Sequence, residues 1–501
     1  MASRYSGAAP ALSPADSLER MHASRDDRDR LTRMPRQGAI IAVLAAAGLC
    51  SSFMFTLMVP IQSKLPELLD ASRDDTAWVV TSTLLAAAVI TPIAGRLGDM
   101  YGKRRIVLAL VSVMIVGSVV AALSPGIVGI IVGRALQGAI VGVVPLGISI
   151  MRDVLHQDRV DSAIAFMSAT LGVGGALGLP ISALVTERSD WHVLFWMAAA
   201  LGVVVFALVL WIVPVSVLRT AGRFDVVGAV GLAIGLIGIL LAISRGNEWG
   251  WTSPVVLACG LGGIAVLLAW GWFELRIADP LLDLRVAARP AVLLTNIASI
   301  AMGFSLFASN VVYPQMLELP VATGAGFGLS LLAASLVVMP SGLVMMALSP
   351  ISGRIAHRTG PRLLLLLGAI SLIAAYGFTL LFSSEVWHIL VANILIGAGI
   401  GFGYASMPML IMRSVPQSET GASNGLNALF RSLGTSTAAA VVGAVLATTS
   451  VDVGGVPAPT TQGFTLSLIL GGAAAIIALV VALFIPTRAT GDADHASLPT
   501  H

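Results

Sequence analysis

Gly95-Arg96-Leu97-Gly98-Asp99-Met100-Tyr101-Gly102-Lys103-Arg104-Arg105 decides how the rest of this chain is read. It is a short, charged stretch punctuated by glycine, and it lies between two long apolar runs, 77–93 and 106–123. Each run is long enough to cross a bilayer as a helix. Both flanks therefore belong in lipid, and the stretch between them is a tight reversal at the membrane surface. Gly98 and Gly102 allow two helix ends to approach closely. Lys103, Arg104 and Arg105 place this surface in the cytoplasm by the positive-inside rule. Asp99, among cations and near helix ends, is expected to pair with a neighbouring arginine such as Arg105, or to face a helix N-terminus from the other half of the molecule.

The reversal recurs as Gly353-Arg354-Ile355-Ala356-His357-Arg358-Thr359-Gly360-Pro361-Arg362. The opening Gly-Arg, the later glycine and the closing arginine match. His357 stands where Asp99 does, and Ala356 where Gly98 does. A repeated turn between apolar runs indicates two related halves, as in many secondary transporters. The first copy resembles the loop signature of the major facilitator superfamily, between its second and third helices.

Composition agrees with a membrane location. The 501 residues are 57% hydrophobic and 11% charged, with a mean hydropathy of +0.92. A soluble domain carries about 25% charged residues. The net charge of +3 says less than its distribution. Lysine occurs at Lys64 and Lys103, and arginine supplies the other cations. Cys50 and Cys259 lie in apolar runs, so no structural disulfide is expected. No signal peptide is visible, since the first 37 residues are polar and read as a disordered tail.

About fourteen apolar runs satisfy the length criterion. They divide into a tail (1–37), a six-helix bundle (38–216), a two-helix insertion with linkers (217–275), a second six-helix bundle (276–487) and a short tail (488–501). With both termini inside, almost all arginines of the loops fall on the cytoplasmic side. The fold class is all-α membrane protein, two six-helix bundles plus two central helices. The extra pair resembles the fourteen-helix drug/proton antiporter branch. So do Arg223-Phe224-Asp225, Asn247-Glu248-Trp249-Gly250-Trp251 and Pro280-Leu281-Leu282-Asp283-Leu284-Arg285.

Candidate site residues follow. The gating set is Gly95, Asp99, Gly102, Arg104, Arg105, Gly353, Arg358 and Gly360. Arg134, in Gly133-Arg134-Ala135-Leu136-Gln137-Gly138, is costly in a bilayer unless it faces protein or water. The stretch resembles the second signature of the superfamily, whose arginine is linked to proton transfer. The alternative is a structural arginine bonded to backbone carbonyls. Gly172, Gly174, Gly175, Gly178 and Pro180 form a packing motif that partly resembles the antiporter signature. Ala183 and Leu184 replace its closing glycine pair. Ser423, Asn427 and Arg431 share one helix face, read as a polar face at the interface between halves. By the resemblance, the first and fourth helices of each half line the cavity. Its wall then includes Phe53, Phe55, Met58, Gln137, Met302, Phe304, Phe307, Asn310, Tyr404 and Met407. Aromatics and methionines make an adaptable apolar surface.

These features point to a secondary transporter that exports lipophilic small molecules, driven by protons. The expected partners are that substrate, protons and membrane lipids, with the protein a monomer. An exporter or facilitator of an endogenous lipid or metabolite keeps the same fold. A multispanning enzyme or sensor would need a catalytic cluster, and none is found. No cofactor is expected. No histidine set has metal spacing, no phosphate loop supports ATP use, and no basic–aromatic surface suggests nucleic acid. One departure stands out. The resemblance calls for an acid in the first span, where Phe53-Met54-Phe55-Thr56 has Met54. No Asp or Glu lies well inside any run. Coupling would then use an edge acid, or be weak, or be absent.

Overall fold

In lipid every backbone N–H and C=O has to be bonded within the protein, so a long apolar run is held as a helix. The computed structural model describes residues 37–58, 61, 65–215, 220, 222–453 and 456–486. It has fourteen helices long and apolar enough to cross a membrane. They are α1 (Gln37–Thr56), α2 (Asp75–Tyr101), α3 (Lys103–Leu123), α4 (Ile127–Val154), α5 (Gln157–Thr186), α6 (Val193–Ile212), α7 (Val226–Trp249), α8 (Pro254–Glu274), α9 (Pro290–Glu318), α10 (Leu331–Thr359), α11 (Pro361–Leu381), α12 (Val386–Met412), α13 (Gln417–Thr448) and α14 (Thr461–Phe484). A small antiparallel hairpin, Ser450–Val453 with Val456–Pro459, joins α13 to α14. The two terminal tails read from the sequence lie outside the described residues except for Gln37, which opens α1.

Packing repeats between the halves. In the first, α1 packs on α5, α2 on α4, and α3 on both α4 and α6. In the second, α9 packs on α13, α10 on α12, and α11 on both α12 and α14. Each half thus has one core: Leu44, Met54, Val111 and Ile140 belong to the first, Tyr313, Leu372, Tyr376 and Ala475 to the second. The halves meet through α2 against α13 and α5 against α10. These two contacts are mates under the same repeat.

The helices α7 and α8 pack on each other, and α7 also packs on α2 and α13. Leu232 and Leu236 of α7 join Ala88 of α2 and Leu426 of α13 in one apolar cluster. Much of α8 turns away from protein: Leu261, Leu268 and Trp272 are exposed, as suits a lipid-facing surface. The ends of α2, α4, α8, α10 and α12 share one side with the arginines of the turns; we call it the basic end.

Candidate functional site

At the basic end α2 stops at Gly102, whose φ of 105° only glycine adopts without strain. Its mate Gly360 ends α10 with φ of 89°. One turn before Gly102, Asp99 is buried. Its carboxylate accepts the backbone N–H of Gly421 at 3.2 Å and of Ala422 at 2.8 Å. Both belong to the first α-helical turn of α13, which starts at Thr420 after a short 3-10 turn, where free N–H groups and the helix dipole favour an anion. Its cationic partner is Lys103 at 3.7 Å, which also binds Asp153 of α4 at 2.6 Å. The expected pairing with Arg105 is corrected: Arg105 is exposed. Lys103 lies one turn along the buried face, whereas Arg105 points round the helix. Arg104 instead bonds the carbonyl of Leu210 at the end of α6.

The close approach is steric as well as electrostatic. A Cβ on Gly95 would run into the carbonyl of Gly421. A Cβ on Gly353 would run into Ser162 at the start of α5. Two turns of sequence therefore place two glycines at mated crossings between the halves. In the second turn Arg362 bonds the carbonyls of Ala482 and Leu483 at the end of α14. That copies Arg104 on α6. Nothing copies Asp99, because His357 and Arg358 are exposed.

Two further residues cross between the halves at this end, and the sequence reading assigned them no role. Arg152 donates to the hydroxyl of Thr420 at 2.6 Å and to the carbonyl of Val415 at 3.3 Å. Arg413 donates to Asp161 of α5 at 2.9 Å and to the carbonyl of Ala356 at 3.2 Å. A signal was present: Ile150-Met151-Arg152-Asp153-Val154 and Ile411-Met412-Arg413-Ser414-Val415 are a second internal repeat. The linker joins in through Thr220, which donates its N–H to the carbonyl of Asp99 and its hydroxyl to that of Ser418, both at 2.8 Å. Beside it lies a cavity of about 200 Å³ lined by Arg96, Asp279, Asp283, Glu419 and Ser423.

Deeper in the first half, Arg134 is 1% exposed. It donates to the carbonyls of Met54 (2.9 Å) and Val79 (3.4 Å) and to Gln137 (2.9 Å). Gln137 passes the network to Ser118 at 2.8 Å. This braces α4 to α1, α2 and α3, the carbonyl-bonded arrangement. Gln137 is spent in that network and is not a free wall residue.

The second half has a different polar centre. Asn427 of α13 donates to Asn296 at 3.0 Å and to Ser299 at 2.6 Å, both on α9. The Ser299 hydroxyl also reaches the sulfur of Met407 at 3.0 Å. The Arg431 guanidinium stacks on the Tyr404 ring, 4.8 Å from its centre. The face expected between the halves is therefore corrected beyond Ser423. Because α13 is sandwiched between α2 and α9, Asn427 and Arg431 turn to α9 and α12 of their own half.

The remaining wall candidates are divided. Met302, Tyr404 and Met407 gather in the second core, with Phe304 packed against it. Phe53 and Met58 belong to the first core. Phe55 and Phe307 are half-buried, and Asn310 is exposed. On α5, side chains at Gly174 and Gly178 would strike Ser52 and Thr56 of α1, and one at Gly172 would strike Met345 of α10. Gly175 has more room, and Pro180 lies inside the helix towards its far end. The motif thus packs α5 on both its own half and the other.

A model of the Major Facilitator Superfamily matches residues 44–225 and 218–439. The MFS-type transporter YvkA of Bacillus subtilis is 26% identical over 419 residues, 82% of this chain and 91% of that protein. The lincomycin resistance protein LmrB of Listeria monocytogenes is 28% identical over 341 residues, 68% of this chain and 71% of that one. The multidrug resistance protein Stp of Mycobacterium tuberculosis is 27% identical over 435 residues, 83% and 77% of the two chains. Two solved structures share the fold at 13% identity. The proton:xylose symporter XylE has a TM-score of 0.61 over 90% of this chain and 96% of its own, and the human organic anion transporter MFSD10 has 0.60 over 90% and 100%. These relatives are transporters and not enzymes. With the family model covering most of a multi-pass membrane chain built from two matching six-helix halves, this protein belongs to the Major Facilitator Superfamily.

Proposed function

We propose that this transporter exports lipophilic small molecules from the cytoplasm in exchange for protons. The observation that carries the reading is the seal at the basic end, where Asp99 holds the start of α13. Arginine bias supports a cytoplasmic basic end, and in this reading both termini lie on that side. A transporter sealed there by contacts that can part has what alternating access needs. The drug-resistance relatives support a small-molecule substrate. The aromatic and methionine residues around Tyr404 and Met407 support a lipophilic one. We take the working unit to be a monomer in lipid.

Proton exchange is the finer part. Arginine keeps its charge, so Arg134 and Arg431 act as fixed cations and not as carriers. The acids of the described helices lie within about two turns of a helix end, so in this reading the carrier is an edge carboxylate. Proteoliposomes loaded with ethidium and given a pH gradient test this. Efflux should rise with the gradient and fall when it is collapsed. Flux that follows the dye gradient alone and ignores both pH and voltage makes the protein a facilitator.

A further inference from the structure

At the basic end of the inserted pair, two carboxyl groups meet with no cation between them among the described residues. Asp225 precedes α7 and caps it, its Oδ1 accepting the N–H of Gly228 at 2.8 Å. Glu274 closes α8 and is 3% exposed. A side chain at Gly228 would touch both Asp225 Oδ2 and Glu274 Oε1, so the two carboxylates converge over that glycine. Asp225 Oδ2 and both oxygens of Glu274 are buried without a hydrogen-bond donor. The N–H groups of Leu281 and Leu282 face Glu274 but do not close hydrogen bonds on it.

Of the described charges nearby, Arg223 is exposed and the others have partners of their own. Arg276 stacks on Trp272, 3.8 Å from the ring centre. Arg285 bonds the carbonyl of Leu275 at 3.3 Å. Asp283 caps the short helix Leu284–Ala287, and Asp279 accepts the N–H of Arg223 at 3.2 Å. No salt bridge to either carboxylate occurs among the described residues. Among the described residues no third histidine, cysteine or acid joins them to hold a metal.

Two like charges in contact and out of water are not both tolerated. A proton on one carboxyl removes the repulsion and supplies the missing donor, an O–H from one group to the other. We infer that Asp225 and Glu274 form a proton-binding pair that takes up one proton and ties the base of the inserted helices to the basic-end seal. The tie is physical: Leu281 and Leu282, just beyond Glu274, share an apolar cluster with Ala422 and Leu426 of α13. Those are the first turns of the helix that Asp99 holds. The inference goes beyond the proposed export function, since proton occupancy is readable without any substrate.

Infrared difference spectra of the full-length protein in nanodiscs, titrated with acid and base, provide the test. A protonated-carboxyl C=O stretch should persist at neutral pH in the wild type and vanish in both Glu274→Gln and Asp225→Asn. Both replacements keep the shape of the side chain, and asparagine still caps α7. Should one variant fail to fold, the other reads the same band. Wild-type and variant spectra that coincide at neutral pH would overturn the inference. So would a neutral-pH band lost in Asp99→Asn but retained in Glu274→Gln.

Discussion

The two mated crossings between the halves are built to different standards. At α2 against α13, a buried carboxylate sits on the helix N-terminus, and Lys103 and Asp153 complete the charge around it. At α10 against α5, the equivalent position is an exposed His357, and the bond across comes from Arg413 to Asp161. The Arg413 side chain is 45% exposed, so solvent screens that pair. One crossing is locked by charge in a dry place; the other is a glycine contact with a wet ion pair. An alternating-access machine gains from this asymmetry. One joint can carry most of the conformational bias while the other slides.

Substitutions break the comparison in graded steps. The largest effect should come from Gly95→Val, which drives a side chain into the backbone of Gly421. Overpacking against backbone has no flexible group to absorb it. Ethidium efflux should fall about a hundredfold at normal membrane expression. Gly353→Val should do nearly as much against Ser162, because the steric part of the two crossings is shared. Efflux at the wild-type rate from either variant would show that the crossings need not close.

The electrostatic part separates them. Asp99→Asn should reduce efflux about tenfold to a hundredfold, since charge-assisted hydrogen bonds contribute roughly 1.5–3 kcal/mol. His357→Asn should stay within about twofold. Equal losses from the two, at equal expression, would abolish the distinction. Arg413→Gln should fall between, at roughly a few-fold. Arg105→Gln is the smallest step and should leave efflux unchanged, because Lys103 and not Arg105 is the cation beside Asp99.

Much of this is legible in the sequence. Apolar runs of bilayer length fix the helices, and the repeated Gly-Arg turn fixes the two halves and puts Gly95 and Gly353 among the gating residues, without showing what they pack against. What stayed hidden has physical reasons. For Asp99 the sequence left two partners open, a neighbouring arginine or a helix N-terminus across the halves, and which N–H groups it binds, those of Gly421 and Ala422, carries no sequence label. The Ile-Met-Arg repeat is short and differs at its fourth position, Asp153 against Ser414, so it gives little signal beside the longer turn. Gln137 looked like a cavity residue because the resemblance gives which helices line the cavity and not what each side chain binds; Arg134 and Ser118 consume it. The sidedness of Asn427 and Arg431 depended on α13 lying between α2 and α9, which no local pattern encodes.

The central claim is that Asp99 biases the basic end towards closure. Double electron–electron resonance between spin labels at Arg105→Cys and Arg358→Cys reads it directly, with Cys50 and Cys259 replaced. Both positions are exposed and lie on opposite halves at this end. The account predicts a short-distance population that dominates in the wild-type background and gives way to a longer one when Asp99→Asn is added. A distance distribution that Asp99→Asn leaves unchanged would contradict it.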